Sequence, residues 1–186
     1  MAFTGTARVS ALIVATLALV LFFAVSSRAR ADDITPLDLE AAARAIGFLN
    51  NLPKDGTIVV GIVYADTVDG KVKAAQTASL LGGMQGQTKA KFRTVLITAK
   101  DLTQTTERLD AVILMPNQAM PSAELAAAVR RRHVVSISTD AGCIDTKCCV
   151  LMVHTAGRVR IVLDTALADA VGAQFSSIFM MMVERR

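Results

Sequence analysis

Short, uncharged apolar runs alternate along this chain with segments of helical spacing. The runs span residues 57–63, 94–98, 111–115 and 134–138. Such runs are typical of strands that are buried on both faces of a parallel sheet. The segments between them predict helices that place an apolar stripe against the sheet. The alternation therefore predicts an α/β fold, a single domain with a mostly parallel sheet flanked by helices on both faces.

Three helices are predicted, one before the first strand and two between later strands. The first begins at Thr35 and Pro36, because threonine can cap a helix and proline suits its first turn, and it stops near Pro53. The second covers residues 66–81, and the third covers residues 121–132.

The pattern changes after Cys149. Residues 149–154 and 158–163 flank a turn signal and predict an antiparallel hairpin. In its second arm, alternation predicts one buried face and one charged face. The buried face would carry Val159, Ile161 and Leu163, and the other face Arg158, Arg160 and Val162.

A terminal helix is predicted after Ser176 and Ser177. Its apolar face would consist of Phe175, Ile178, Phe179 and Met182. The methionines at 180–182 fit either a buried stripe or an adaptable interface, and we favour the buried stripe.

The first 31 residues have the parts of an export signal. Arg8 gives a positive start, residues 11–25 are apolar, and Ala31 completes a small-residue cleavage site. The apolar run is shorter than the roughly 20 residues of a spanning helix. We therefore predict a Sec-type signal at residues 1–31 that is cleaved after Ala31, and a periplasmic domain at residues 32–186 with no stable membrane insertion. Two arginines after the run leave an uncleaved, N-terminally anchored form as the alternative.

Charge and composition argue against several classes of protein. The formal net charge is +4, but residues 1–31 hold three arginines and no acid, so the remainder carries +1. The chain has no tryptophan, one tyrosine and no basic stripe, so nucleic acid is not an expected partner. Ser138 and Asp140 have no histidine placed beside them in the sequence, and the Gly-x-Ser-x-Gly motif is absent. We predict no catalytic residues, no cofactor and no enzymatic activity.

All three cysteines lie in one short segment, at Cys143, Cys148 and Cys149. In an exported protein such a cluster favours a disulfide. A bond between the neighbours Cys148 and Cys149 would be strained. Together with His154 the three thiols are an alternative site for zinc or Cu(I), but their spacing matches no common structural zinc pattern, and we predict no metal site.

Residues 111–186 combine four features in a fixed order. A strand ends in Ser138, Thr139 and Asp140, the cysteine loop follows, and a hairpin with an arginine-containing second arm precedes a terminal helix that begins at a serine pair. This order resembles the C-terminal half of the YfiR-like family of periplasmic proteins. The N-terminal half fits only in outline, because the first helix of that family ends in Trp-Pro and this chain has no tryptophan.

The resemblance implies a regulator with no catalytic role. Its best-known members are soluble periplasmic dimers that bind the sensor domain of an inner-membrane diguanylate cyclase and restrain it. The same partner, a link to cyclic di-GMP signalling and a homodimer are therefore expectations for this chain. The expected partner or ligand surface comprises Ser138, Thr139, Asp140, Arg158 and Arg160.

The resemblance also implies a disulfide between Cys143 and Cys149. Family members have two cysteines at a similar spacing, with the second close to a strand, and Cys149 directly precedes a predicted strand. This bond would either staple the loop or act as a redox switch. Cys148 is then a free thiol that is buried, joins two chains or exchanges with its neighbour.

A single-lobe periplasmic module that binds a small molecule is the alternative function. Open parallel sheets bind ligands at the carboxyl ends of their strands. In this chain that edge would carry Asp66, Pro116, Asn117 and the residues 138–140. Saturable binding of a small molecule would favour this alternative, and co-purification with a membrane sensor would favour the regulator.

Overall fold

A computed structural model describes residues 33–53, 56–84, 91–116, 120 and 122–186. The predicted signal at residues 1–31, Asn117 and Pro121 lie outside the described residues. The helices are α1 (Pro36–Ile46), α2 (Val68–Gly83), α3 (Ser122–Arg132), α4 (Gly142–Asp145), α5 (Thr165–Val171) and α6 (Ser177–Met182). The strands are β1 (Thr57–Tyr64), β2 (Lys91–Thr98), β3 (Ala111–Leu114), β4 (Val135–Ser138), β5 (Leu151–His154), β6 (Arg160–Leu163) and β7 (Glu184–Arg185).

The strands of the described residues form one sheet in the order β2-β1-β3-β4-β5-β6-β7. Strands β1 to β5 run parallel, β6 pairs antiparallel with β5, and β7 pairs parallel with β6. The predicted α/β fold is therefore confirmed, including its mostly parallel sheet, its antiparallel hairpin and its C-terminal helix.

Helices cover both faces of this sheet. On one face, α1 and α2 contribute Leu39 and Leu81 to the core. On the other face, α3 and α4 contribute Leu125 and Ile144. The central strands β3 and β4 are buried along their whole length, which explains why they appear in the sequence as continuous apolar runs.

Helix α1 begins where it was predicted and ends earlier. The Thr35 hydroxyl accepts from the Asp38 amide, and the Asp38 carboxylate accepts from the Thr35 amide, each at 3.1 Å. This reciprocal capping box fixes the first turn. The helix stops at Ile46, not near Pro53, because the amide of Phe48 donates to a carbonyl three residues back and tightens the chain.

Strand β2 starts at Lys91, three residues before the predicted start. It lies at the edge of the sheet, and the exposed Lys91 and Arg93 alternate with the buried Phe92. The prediction followed continuous apolar character and therefore missed this alternating part.

Helix α5 was not predicted, although its ends carry recognisable signals. The carboxylate of Asp164 accepts from the Leu167 amide at 2.9 Å and caps the helix. Gly172 ends the helix in the left-handed conformation, at a φ of 74°. The short strand β7 was also missed.

Candidate functional site

The cysteine loop lies between β4 and β5. A disulfide joins Cys143 to Cys149 with their Cα atoms 5.4 Å apart, so the pairing that the resemblance implied is confirmed. Helix α4 ends in a Schellman motif: the Cys148 amide donates to the Cys143 carbonyl at 3.0 Å, and the Lys147 amide donates to the Ile144 carbonyl at 3.1 Å. These bonds hold the loop compactly against the end of the sheet.

Cys148 is a buried free thiol. Burial raises the pKa of this thiol above its ordinary value, and the nearby Asp140 carboxylate acts in the same direction. The Thr146 hydroxyl lies 3.3 Å from the sulfur, and this contact acts in the opposite direction. Of the three roles considered for Cys148, burial agrees with the structure, and a bond to a second chain does not suit a residue that is 6% exposed.

The structure does not bring His154 to the cysteines. His154 ends β5 and is exposed, five residues beyond Cys149, which corresponds to about 16 Å of extended chain. Among the described residues there is no group of three or more metal-binding side chains that could hold an ion.

Two of the predicted surface residues line a cleft beside the cysteine loop. The cleft has a volume of about 250 Å³ and contains Ser138, Asp140, Cys143 and Cys148. The Ser138 hydroxyl accepts from the Asp140 amide at 3.1 Å, and the Asp140 carboxylate accepts from the Gly142 amide at 2.9 Å. Both side chains are thus engaged in shaping the turn after β4.

Neither Thr139 nor Asp66 lines this cleft. The Thr139 hydroxyl is buried and has no hydrogen-bond partner among the described residues. Asp66 lines a separate cavity of about 120 Å³ with Lys100 and Glu124. The predicted ligand edge is therefore divided between two cavities near the point where the strand order changes, between β1 and β3.

The two hairpin arginines have different environments. Arg160 donates to both carboxylate oxygens of Glu184, each at 2.9 Å, and so holds β7 onto β6. Arg158 lies in the exposed part of the hairpin, before β6 begins. Of these two arginines, only Arg158 is an exposed cation that forms no ion pair with another described residue.

The predicted faces of the second hairpin arm need correction. Val159 was assigned to the buried face and is 62% exposed, whereas Val162 was assigned to the charged face and is buried. Val159 lies outside the strand, in the turn, and Val162 contacts the core on the cysteine side of the sheet. Within β6, Ile161 and Leu163 pack on one core cluster and Val162 on the other, so both faces of the strand are apolar at its end.

A large apolar groove lies between α1, the hairpin and α6. Its volume is about 620 Å³, and Glu40, Arg44 and Thr155 add polar groups to it. Its apolar lining includes Leu37, Phe48, Val159, Ile161, Phe179 and Met182. Leu37, Val159 and Met182 are each at least 60% exposed, and the exposed Ile178 and Met181 lie on the same helix α6.

The interpretation of the terminal methionines as a buried stripe is therefore wrong for Met181 and Met182, which are 79% and 60% exposed. Ile178 was also predicted to be buried and is exposed. Helix α6 has only six residues and buries a narrow face, in which Phe179 stacks on Phe48 and Phe175. Met180 is half-buried against the same core, and the other apolar side chains of α6 (Ile178, Met181 and Met182) are exposed.

The groove was not predicted, because its walls come from distant parts of the chain. Asp38 joins two of them: its carboxylate accepts from the Thr155 amide and hydroxyl, each at 2.8 Å. Burial alone would raise the pKa of Asp38, but hydrogen bonds from Thr35 and Thr155 outweigh it and hold the pKa below its ordinary value. The start of α1 is thereby fixed to the hairpin turn.

Comparison with known proteins gives a likeness of fold alone. No protein-family model matches the chain, and no curated protein matches it in sequence. A conserved domain protein from Vibrio cholerae superposes with a TM-score of 0.53 at 11% identity, covering 81% of this chain and 59% of that one. The ABC domain of a Streptococcus pneumoniae protein, solved with L-Trp, superposes with a TM-score of 0.51 at 8% identity, covering 77% of this chain and 61% of that one. The chain thus spans about three fifths of each neighbour's length.

Within the described part of the chain, no helix has the length and apolar character that crossing a membrane requires.

Proposed function

We propose that this chain is a non-enzymatic periplasmic regulator that resembles the YfiR-like proteins. It would bind the periplasmic sensor domain of an inner-membrane diguanylate cyclase, or of a similar signalling protein, and restrain it. Its export signal would be cleaved after Ala31, and the Cys143–Cys149 disulfide would tune the restraint. A homodimer belongs to the same proposal.

The apolar groove is the observation that carries this proposal. Large apolar patches on the surface of a protein mark interaction sites, since a solvated patch of this kind is unfavourable. The groove has a helix on two sides and combines flexible methionine with rigid phenylalanine, as binding surfaces for apolar protein segments do. Its walls include the hairpin and the terminal helix, which are among the elements that carry the family resemblance.

A pull-down from cell envelope tests the proposal. The tagged, exported protein is isolated from detergent-solubilised envelope, and bound proteins are identified by mass spectrometry. We expect to recover an inner-membrane protein that has a periplasmic sensor domain and a cyclase domain. Recovery of the chain without such a protein, under both oxidising and reducing conditions, would contradict the regulator.

A small-molecule-binding module is the second candidate. It is supported by the cleft beside β4, where the Asp140 carboxylate could pair with a ligand ammonium group, and by the L-Trp bound to the Streptococcus pneumoniae neighbour. Calorimetric titration with L-tryptophan tests it. Saturable binding that is lost in Asp140→Asn would favour this candidate, and the absence of heat would count against it for this ligand.

A further inference from the structure

The outward face of α2 is apolar, although the opposite face of this helix already packs on the sheet. Ala74, Thr77 and Leu81 are buried. Val68 and Val72, by contrast, are 85% and 50% exposed. An exposed stripe continues at steps of three or four residues to the end of the helix, through Val68, Val72, Ala75, Ser79 and Gly83. This spacing places side chains in one row along a helix and is typical of a seam between two helices.

This stripe is separate from the apolar groove. Among the described residues that line the groove, none belongs to α2 or β2. Leu96 of β2 is 37% exposed, and it lies on the α2 side of the sheet because it is four residues from Phe92, which packs in the same core cluster as Leu81. Since β2 is an edge strand of the described sheet, α2 and β2 form a second apolar surface at the edge opposite the hairpin.

Gly82 and Gly83 end α2 at positions where the described part of the chain does not require glycine. Neither has a positive φ, and a Cβ added at either position would meet no atom of the described residues within 4 Å. Glycine is unfavourable in a helix, because it loses more conformational freedom on folding than other residues do. At the end of the stripe, the two glycines leave room for the side chain of a closely packed neighbour.

The stripe is complementary in shape to a second copy of itself that runs antiparallel. With a two-fold axis beside Ala75, Val68 of one copy meets Gly83 of the second copy, and Val72 meets Ser79. Large side chains thus face small ones at both ends of the seam. Because the same residues serve both copies, the contact closes as a dimer and does not propagate.

Charge favours the same antiparallel arrangement. Lys71 is exposed in the first turn of α2, and the last turn of this helix has no basic residue. The antiparallel pairing brings Lys71 of each copy to the last turn of the other copy's α2, where its ammonium group compensates the partial negative charge of the helix end. A parallel pairing would instead bring the two Lys71 side chains together.

We infer that α2 and β2 form the interface of a two-fold homodimer in which the two α2 helices pack antiparallel. The dimer itself rests on the proposed function, and α2 adds its surface and its arrangement. Helix α2 is about 24 Å long, and together with β2 it presents roughly 500 Å² on each copy. A total of about 1,000 Å² is the lower limit for a specific interface, so we expect a dissociation constant in the micromolar range. Both grooves stay open, and one dimer can bind two sensor domains.

Sedimentation velocity of the purified exported protein tests the interface in the absence of the sensor. The unmodified protein should change from monomer to dimer between about 1 and about 100 μM. Ala75→Glu should raise the dissociation constant at least about tenfold, because two carboxylates would meet beside the two-fold axis. Met181→Glu, at an exposed apolar position of α6, is the matched control and should dimerise like the unmodified protein.

Two further variants show whether the stripe contacts itself. Ala75→Lys should be monomeric alone and should form a dimer when mixed with Ala75→Glu, because opposite charges then face each other. Gly83→Leu should weaken the dimer at least about tenfold by filling the space opposite Val68. It should also raise the melting temperature of the monomer, since leucine is a better helix former than glycine.

Four results would each overturn the interface. They are an unmodified protein that is monomeric at about 100 μM, a dimer of full strength in Ala75→Glu or Gly83→Leu, loss of the dimer in Met181→Glu, and a mixture of the two Ala75 variants that stays monomeric. Dimerisation through α2 without capture of a sensor would support the interface while contradicting the proposed partner, so the two failures are distinguishable.

Discussion

At the residue scale, Asp38 is a side chain that connects two walls of the groove that are distant in sequence. It caps α1 and also accepts two hydrogen bonds from Thr155, which lies 117 residues away in sequence. The second role could not be predicted from the sequence, because it depends on how the hairpin turn approaches α1. The capping role could be predicted from the sequence, since a threonine followed three residues later by an acid is a local capping signal.

Asp38 should make stability depend on pH. Its pKa is lowered in the folded protein, so the stabilisation is present above about pH 4 and is lost as the pH falls through the folded value. We expect Asp38→Asn to lower the free energy of unfolding at pH 7 by about 1 to 2 kcal/mol. Below about pH 4, the free energy of unfolding of this variant should depend less on pH than that of the unmodified protein. Urea unfolding at a series of pH values measures both effects.

The control for this prediction is Asp69→Asn, in the first turn of α2, where the carboxylate is mostly exposed. It should retain the pH profile of the unmodified protein. An Asp38→Asn profile that parallels the unmodified one would show that Asp38 titrates alike in the folded and unfolded chains.

The disulfide gives a second prediction at this scale. Cys143→Ser should lower the free energy of unfolding by about 2 to 3 kcal/mol, because the unfolded chain loses the closure of a short loop. Titration of the unfolded protein with a thiol reagent should find one more thiol than in the unmodified protein. Cys148→Ser is the matched control, which should remove the single free thiol and change stability little. An unchanged thiol count in Cys143→Ser would contradict the pairing.

Arg158 and Arg160 give a third prediction at this scale. Arg158→Glu should weaken binding of the partner without changing the melting temperature, since Arg158 is an exposed turn residue. Arg160→Glu should lower the melting temperature, because it would place two carboxylates together where Arg160 now binds Glu184. Thermal unfolding separates the two, and a fall in melting temperature for Arg158→Glu would show that this arginine is structural.

At the scale of elements, the interior strands were the most predictable and the terminal helix the least. Strands β1, β3 and β4 are buried on both faces, so burial alone gives them a continuous apolar run. Helix α6 buries only Phe179 fully, and Ile178, Met181 and Met182 were misassigned to its buried face. A sequence pattern records which side chains are apolar, but the number of neighbours around a short helix is decided by tertiary packing.

Phe179 should therefore be the residue that anchors α6. It is 1% exposed, and its ring centroid lies 5.2 Å from that of Phe48 and 4.9 Å from that of Phe175. We expect Phe179→Ala to lower the free energy of unfolding by about 3 to 5 kcal/mol. Met181→Ala, on the exposed side of the same helix, should change it by less than about 0.5 kcal/mol. Urea unfolding would contradict the assignment if the two substitutions had equal effects.

At the scale of the whole molecule, two regions carry the functional hypotheses, the cleft beside β4 and the groove beside the hairpin. The cleft at the carboxyl ends of the strands was predicted in outline, because the parallel arrangement brings the residues after each strand to one edge. The groove could not be predicted, since α1 lies more than 100 residues before the hairpin and α6 in the chain. Their meeting is a property of the sheet order, which places β5, β6 and β7 side by side at one edge.

The central claim is that the groove binds the partner, and one comparison of variants tests it most directly. Met182→Glu places a charge in the groove, and Val68→Glu places the same charge at an apolar position of α2 that is 85% exposed and outside it. The yield of co-purified membrane sensor is measured for both against the unmodified protein. We predict that Met182→Glu loses the sensor at least about tenfold while Val68→Glu retains it. Equal recovery with both variants would contradict the claim.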